Sequence, residues 1–224
     1  MVELKEGKFY NTEIIYKACL DAMTRKKMVG IVDYTGAGKS YALKKFKKEN
    51  IGVHLVELGP SMSPKEMYVQ ILNQIRNEDI SRSESVSNIK RQIRLELQES
   101  SGNNLIIIDE ASRYEKERVS YFHELRNMTQ IHSGLIICGH KDFERLLFKW
   151  TSQGVKGVDE FKSRFSYIIQ LDRPTINEIK DFFQVNNLLS TKKELNLYKE
   201  IIEMDRDRLN FRMIRSLIME HLNK

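Results

Sequence analysis

Short, continuously apolar runs separated by longer helical patterns set the tightest limit on how this chain folds. They lie at Met28 to Val32, Gly52 to Leu58, Leu105 to Ile108, Leu135 to Cys138 and Tyr167 to Leu171. Strands apolar at consecutive positions have no face to offer water, so they belong in a mainly parallel sheet covered by helices on both sides. Only three prolines and eleven glycines punctuate 224 residues, which leaves the chain to long regular elements.

The helices between these runs announce themselves. Ser63-Pro64-Lys65-Glu66 reads as a capping box with proline at the first helical position, where its missing N–H costs nothing. Val86, Ile89, Ile93 and Leu97 recur as one apolar stripe on a helix whose other faces carry Lys90, Arg91 and Arg94. Another helix is expected from about Glu115 to Ile131. Beyond Pro174 no strand candidate remains. Thr175-Ile-Asn-Glu178 and Thr191-Lys-Lys-Glu194 open two helices with capping boxes, and a third begins near Asn210 with Ile214, Leu217, Ile218 and Leu222 on one face. The expected architecture is an α/β domain over residues 1–172, a parallel sheet sandwiched by helices, followed by a small C-terminal helical lid over residues 173–224.

Composition narrows the class. Thirty-seven Lys and Arg against 31 Asp and Glu give a net charge of +6, and 41% hydrophobic residues are too many for a disordered chain. Cys19 and Cys138 stand alone in apolar runs, which suggests neither a disulfide framework nor a zinc site and fits a reducing compartment. The first ten residues are charged, and no apolar stretch approaches the roughly 18 residues of a membrane span. A soluble, cytoplasmic protein without a membrane partner is expected.

The chemistry starts at the end of the first strand. Asp33-Tyr-Thr-Gly-Ala-Gly38-Lys39-Ser40 matches the phosphate-binding pattern G-x-x-x-x-G-K-[ST] at every fixed position except the first, where Asp33 replaces glycine. Gly36 and Gly38 let backbone N–H groups curl around phosphate oxygens at a helix N-terminus. Thr35, Gly36, Ala37, Gly38, Lys39, Ser40 and Tyr41 form the candidate ATP-binding segment, with Lys39 neutralising the β and γ phosphates and Ser40 ligating Mg²⁺. Further on, Leu105-Ile-Ile-Ile-Asp109-Glu110 delivers two carboxylates at a strand end, beside the glycine loop, where open α/β sheets bind ligands. Asp109 is the expected second magnesium ligand and Glu110 the general base that polarises water. The plainer reading is that the two carboxylates cap the next helix. His140, at the end of Gly134-Leu-Ile-Ile-Cys138-Gly139-His140, is either a donor to phosphate or water or a structural hydrogen-bonder.

Glycine loop, apolar strand ending Asp-Glu, polar strand end, Ser163-Arg164-Phe165 before the last strand and then a three-helix lid with an arginine: this order resembles an AAA+ ATPase. Within that superfamily, Leu125-Arg126-Asn127 leading into the strand that ends at His140 is similar to the target-selecting ATPases of transposition, the B protein of Mu-like phages and its relatives. The resemblance implies Arg164 as an arginine finger acting on a neighbouring subunit, and Arg212 as the lid arginine called sensor 2, with Arg215 as rival. It also implies ATP-dependent self-assembly into a ring or helical filament, DNA binding without sequence preference, and a transposase as possible partner. His140 stands where many relatives carry asparagine, threonine or serine. A helicase loader or initiator shares every motif, and a poorly hydrolysing nucleotide switch is the reading if Asp33 or His140 disables turnover. A small-molecule kinase has no need of the paired carboxylates or the helical lid. Basic residues are plentiful but scattered: Lys44, Lys45, Lys47 and Lys48 after the glycine loop, Lys90, Arg91 and Arg94 on another helix, and Lys192, Lys193, Arg206 and Arg208 in the lid.

Overall fold

The computed structural model describes residue 4 and residues 9–80, 83–206 and 209–222. In chain order the elements are α1 (Tyr10–Arg25), β1 (Met28–Asp33), α2 (Lys39–Glu49), β2 (Val53–Glu57), α3 (Pro64–Arg76), α4 (Val86–Glu99), β3 (Asn104–Asp109), α5 (Val119–Thr129), β4 (Ser133–His140), α6 (Asp142–Ser152), α7 (Val158–Lys162), β5 (Tyr167–Gln170), α8 (Ile176–Val185), α9 (Lys192–Glu203) and α10 (Phe211–Leu222). They divide into two compact units, one of residues 15–33 and 40–170, the other of residues 1–14, 34–39 and 171–224.

The first unit holds the five-stranded sheet, in the order β2-β3-β4-β1-β5 with every pairing parallel. β1 and β3 are buried along their whole length and β4 in all but its last residue, as continuous apolar runs require. The edge strands differ. β5 is half-buried along Tyr167–Ile169 and exposed at Gln170, and β2 alternates towards its end. Ile89, Ile93 and Leu97 of α4 enter the core with Met67 and Ile71 of α3 and Phe122 and Leu125 of α5. The Ser63 capping box forms as read: Ser63 Oγ accepts the Glu66 amide at 3.2 Å, and Glu66 Oε2 accepts the Ser63 amide at 2.8 Å.

The helix expected over Glu115 to Ile131 is shorter. A 3-10 turn at Lys116–Arg118 precedes it, closed by Arg118 N–H donating to the Glu115 carbonyl, and α5 runs only over Val119–Thr129. At its far end the His132 amide bonds the Thr129 carbonyl in a turn, so Ile131, apolar in sequence, is left 77% exposed.

Gly134 shows how closely α1 approaches the sheet: a Cβ there would lie 2.1 Å from the Ala22 carbonyl oxygen. The obstacle is backbone, which cannot swing aside. Gly134→Ala is therefore expected to cost about 3 kcal/mol and to lower Tm by on the order of 10 °C, measured by thermal denaturation.

The second unit has its own core, built from Ile179 and Phe183 of α8, Ile201 of α9, and Ile214 and Ile218 of α10. Thr175 and Thr191 close the expected capping boxes with Glu178 and Glu194. The N-terminal segment belongs to this unit. The Phe9 ring lies 5.7 Å from that of Phe182 and 4.1 Å from that of Phe211, the Tyr10 amide donates to Glu178 Oε1 at 2.8 Å, and Asn11 Nδ2 donates to the Asp172 carbonyl at 2.9 Å.

Candidate nucleotide site

Parallel strands bring their C-terminal ends to one edge, and three of them carry the polar residues singled out by the sequence: Asp33 on β1, Asp109 on β3 and His140 on β4. Asp33 pairs in register with His140. Asp109 is not beside β1, because β4 stands between β1 and β3, setting it two strands away, roughly 10 Å. Strand order is a tertiary property that a list of runs does not contain.

Asp33 and Asp109 are 1% and 2% exposed. Asp109 Oδ1 accepts the Glu110 amide at 2.8 Å, while Oδ2 is buried with no hydrogen-bond partner among the described residues. A buried carboxylate oxygen without a donor is costly, and a hydrated divalent cation satisfies it, so this residue fits magnesium. Among the described residues no three or more His, Cys, Asp and Glu cluster into an all-protein metal cage. Mg²⁺ beside phosphates is commonly held by one or two side chains and waters instead.

Glu110 adopts a left-handed backbone (φ 60°, ψ 32°), a conformation costing a non-glycine residue about 1–3 kcal/mol. The 3-10 turn Ala111–Arg113 follows it, yet Glu110 makes no side-chain cap, so the plainer helix-capping reading is not realised for this carboxylate. It pairs instead with Arg113 Nε at 3.4 Å, and Arg113 Nη1 also donates to the Leu58 carbonyl at the end of β2. His140 Nδ1 lies 3.1 Å from Asp142 Oδ2 and 3.3 Å from the Asp142 amide, and its own amide bonds Ser112 Oγ. Asp142 is shared with Arg145 at 3.2 Å. The partners Arg113 and Asp142 were missed by motif reading, although each lies within three residues of the group it touches.

The glycine loop itself, residues 34–39, lies in the helical unit. Gly36 and Gly38 have φ of +89° and +86°, which glycine alone adopts without strain. Around Gly38 a Cβ would meet nothing within 4 Å among the described residues; at Gly36 a Cβ would lie 2.5 Å from Asn210 Oδ1 and 3.3 Å from Arg212 Cβ. The loop thus touches the start of α10, where Asn210 Oδ1 accepts the Met213 amide as cap. That contact includes the Cβ of Arg212. Lys39 Nζ donates to the Tyr34 carbonyl at 2.9 Å, so its ammonium turns back into the loop. Thr35 and Tyr41 are exposed, Ala37 is buried and Ser40 half-buried.

Arg164 lies elsewhere. It is exposed in the turn before β5, where the Ser166 amide bonds the Met28 carbonyl and Tyr167 pairs with Val29. This is the edge where the strands begin, about 13 Å or more along β1 from Asp33. Its neighbour Arg126 is half-buried and forked onto the Lys26 carbonyl at 2.6 Å and that of Ser133 at 3.2 Å. Burial, and then the charge of Arg164, holds that guanidinium below its ordinary range. Arg126 therefore ties down strand-edge carbonyls.

Several of the basic residues are committed internally. Lys44 pairs with Glu57 at 3.2 Å, Lys47 donates to Gln74, and Lys90 pairs with Glu124 at 2.6 Å over the Tyr68 ring. Arg94, Lys192, Lys193 and Arg206 are exposed, and Arg208 lies outside the described residues.

A glycine loop leaving an interior strand, the next motif strand set one place further out and a polar strand end between them define the P-loop α/β class with an inserted strand. Within it, the family described as AAA domain matches residues 23–147, more than half of the sequence, and the chain belongs to that family. No curated protein sequence matches it significantly. Among solved structures, the chain is similar to the Aeropyrum pernix ORC1 protein in complex with DNA (TM-score 0.63, 11% identity, 96% of this chain and 60% of that one). It is also similar to Cdc6p from Pyrobaculum aerophilum (0.58, 14%, 82% and 51%) and to the replication initiator DnaA bound to AMPPCP and single-stranded DNA (0.58, 16%, 98% and 62%). The chain spans between half and two thirds of the length of these structures. At such identities the likeness concerns the fold, an α/β core with a five-stranded parallel sheet. No helix among the described residues is long and apolar enough to cross a membrane.

Proposed function

We propose that this chain is an ATP-hydrolysing AAA+ module that assembles on DNA, of the replication-initiator or helicase-loader type. The observation that carries the nucleotide reading is the glycine loop, with two left-handed glycines, an open Gly38 and the Lys39 ammonium folded into it. Lys39 would leave the Tyr34 carbonyl for the β and γ phosphates, and the loop amides would bind the same oxygens. Ser40 and Asp109 would hold Mg²⁺, which when bound neutralises phosphate charge and aligns the γ group for attack. Glu110 is the base for the attacking water once it leaves Arg113, and His140, with Nδ1 engaged by Asp142, has Nε2 to offer. Arg164 acts in trans, because a residue at the opposite sheet edge does not serve its own Asp109 and Glu110. Head-to-tail contacts repeated in a ring or helical filament bring it to the next subunit.

ORC1 and DnaA, two of the structural neighbours, were solved with DNA, and this supports the initiator-type reading over transposition target selection. The neighbours give no support to a transposase as partner. The exposed cations of this chain would contact phosphates rather than base edges, so binding should be nearly sequence-independent.

The test is a titration of short and long duplexes and single strands with ATP, with ADP and without nucleotide, over a salt series. ATP-dependent, length-dependent binding is expected, with log K falling against log salt at a slope of about −0.9 per duplex phosphate contacted and about −0.7 on single strands. Absence of binding at low salt under every nucleotide condition would overturn the DNA reading and leave a nucleotide switch.

A further inference from the structure

Next to the glycine loop stands a residue that no motif names. The Arg173 guanidinium lies 3.7 Å over the ring of Tyr34, the second residue of the loop motif. Its Nη1 donates at 3.1 Å to the Leu209 carbonyl, immediately before the Asn210 cap of α10, while its buried Nε has no hydrogen-bond partner among the described residues. The planar group is thus set by the ring beneath it and the carbonyl at its end. Both partners lead to groups that matter for phosphate. The Tyr34 carbonyl holds the Lys39 ammonium, and Leu209 and Asn210 lead into α10, where Arg212 lies against Gly36.

We propose that Arg173 is a positioning residue: clamped between Tyr34 and the Leu209 carbonyl, it fixes the start of α10 against the glycine loop and so sets where Arg212 stands for a nucleoside triphosphate. This rests on the nucleotide reading above. Binding of a triphosphate draws Lys39 away from the Tyr34 carbonyl, and the backbone there loses its donor. The stack on Arg173 does not depend on that bond, so Tyr34 stays tied to the start of α10. Lysine cannot replace arginine here, because a point charge on a flexible stem neither stacks flat nor donates sideways at the same time.

The experiment measures affinity for a fluorescent ATP analogue and its ADP counterpart on the full chain, with melting temperatures recorded in parallel. Arg173→Ala, Arg173→Lys and Tyr34→Leu should each weaken ATP binding about tenfold, the scale of one partly desolvated cation–π contact, and change ADP binding by less than about threefold. Because Arg173 acts through Arg212, Arg173→Ala combined with Arg212→Ala should bind ATP no more weakly than Arg212→Ala alone. A purely structural role would lower melting temperatures and leave the ATP affinity of the folded fraction untouched. Parental ATP affinity in Arg173→Lys and Tyr34→Leu, or additive losses in the double variant, would overturn the proposal while the nucleotide reading stands. If the parent chain bound no nucleotide, both would fall. Should Arg173→Ala not fold, Arg173→Lys and Tyr34→Leu decide alone.

Discussion

Lys39→Ala should abolish measurable ATP binding, whereas Glu110→Gln should bind ATP within about threefold of the parent and hydrolyse it roughly 10²- to 10⁴-fold more slowly. The two outcomes separate the charge that holds phosphate from the carboxylate that takes a proton. Lys39 is the cation of the glycine loop, already folded into it on the Tyr34 carbonyl, and without it the loop's amides face several negative oxygens unaided. Glu110 sits after the buried Asp109, in a left-handed conformation and paired with Arg113. Glutamine keeps the size and a hydrogen bond to that arginine but accepts no proton from water. Equilibrium nucleotide binding and steady-state phosphate release, run on the same preparations, decide the matter. Parental turnover by Glu110→Gln would remove this residue from catalysis.

A comparable loss is expected at Arg164, which on the proposed reading serves the neighbouring subunit's site. Arg164→Ala should reduce ATPase activity by about 10³-fold or more, the range of characterised arginine fingers, with ATP affinity nearly preserved. The argument is geometric. In a parallel sheet the residue preceding β5 lies where strands begin, and Asp33, Asp109 and His140 lie where they end. Activity per subunit should therefore rise with protein concentration. Mixing Arg164→Ala with Glu110→Gln should restore part of the turnover, since hybrid interfaces then pair an intact base with an intact arginine. A rate independent of concentration, with no recovery on mixing, would place the transition-state cation elsewhere.

Much of the fold was legible in the sequence because its signals are local. Continuous apolar runs at Met28, Leu105 and Leu135 mark the three central strands, since strands covered on both faces need no alternation. Capping boxes at Ser63, Thr175 and Thr191 formed as written, because side chain and amide lie three residues apart. The glycine loop was equally plain: Gly36 and Gly38 at that spacing, between strand and helix, are demanded by backbone conformation alone.

What the sequence did not contain is everything that depends on order in space. That β4 separates β1 from β3, and so moves Asp109 one strand outward, follows from how crossovers pack and leaves no mark on any single run. The attachment of Phe9 and Tyr10 to α8 and α10 joins residues about 170 to 200 apart in the chain, where no local pattern reaches. The approach of Arg212 to the glycine loop is made at Gly36, and the cation over the Tyr34 ring is an arginine 139 residues later, just before Pro174. Local sequence determined which groups are available for phosphate chemistry, because their backbone and charge requirements are written within a few residues. Tertiary structure decided which of them meet, because strand order and helix docking are settled by burying apolar faces contributed from the whole chain.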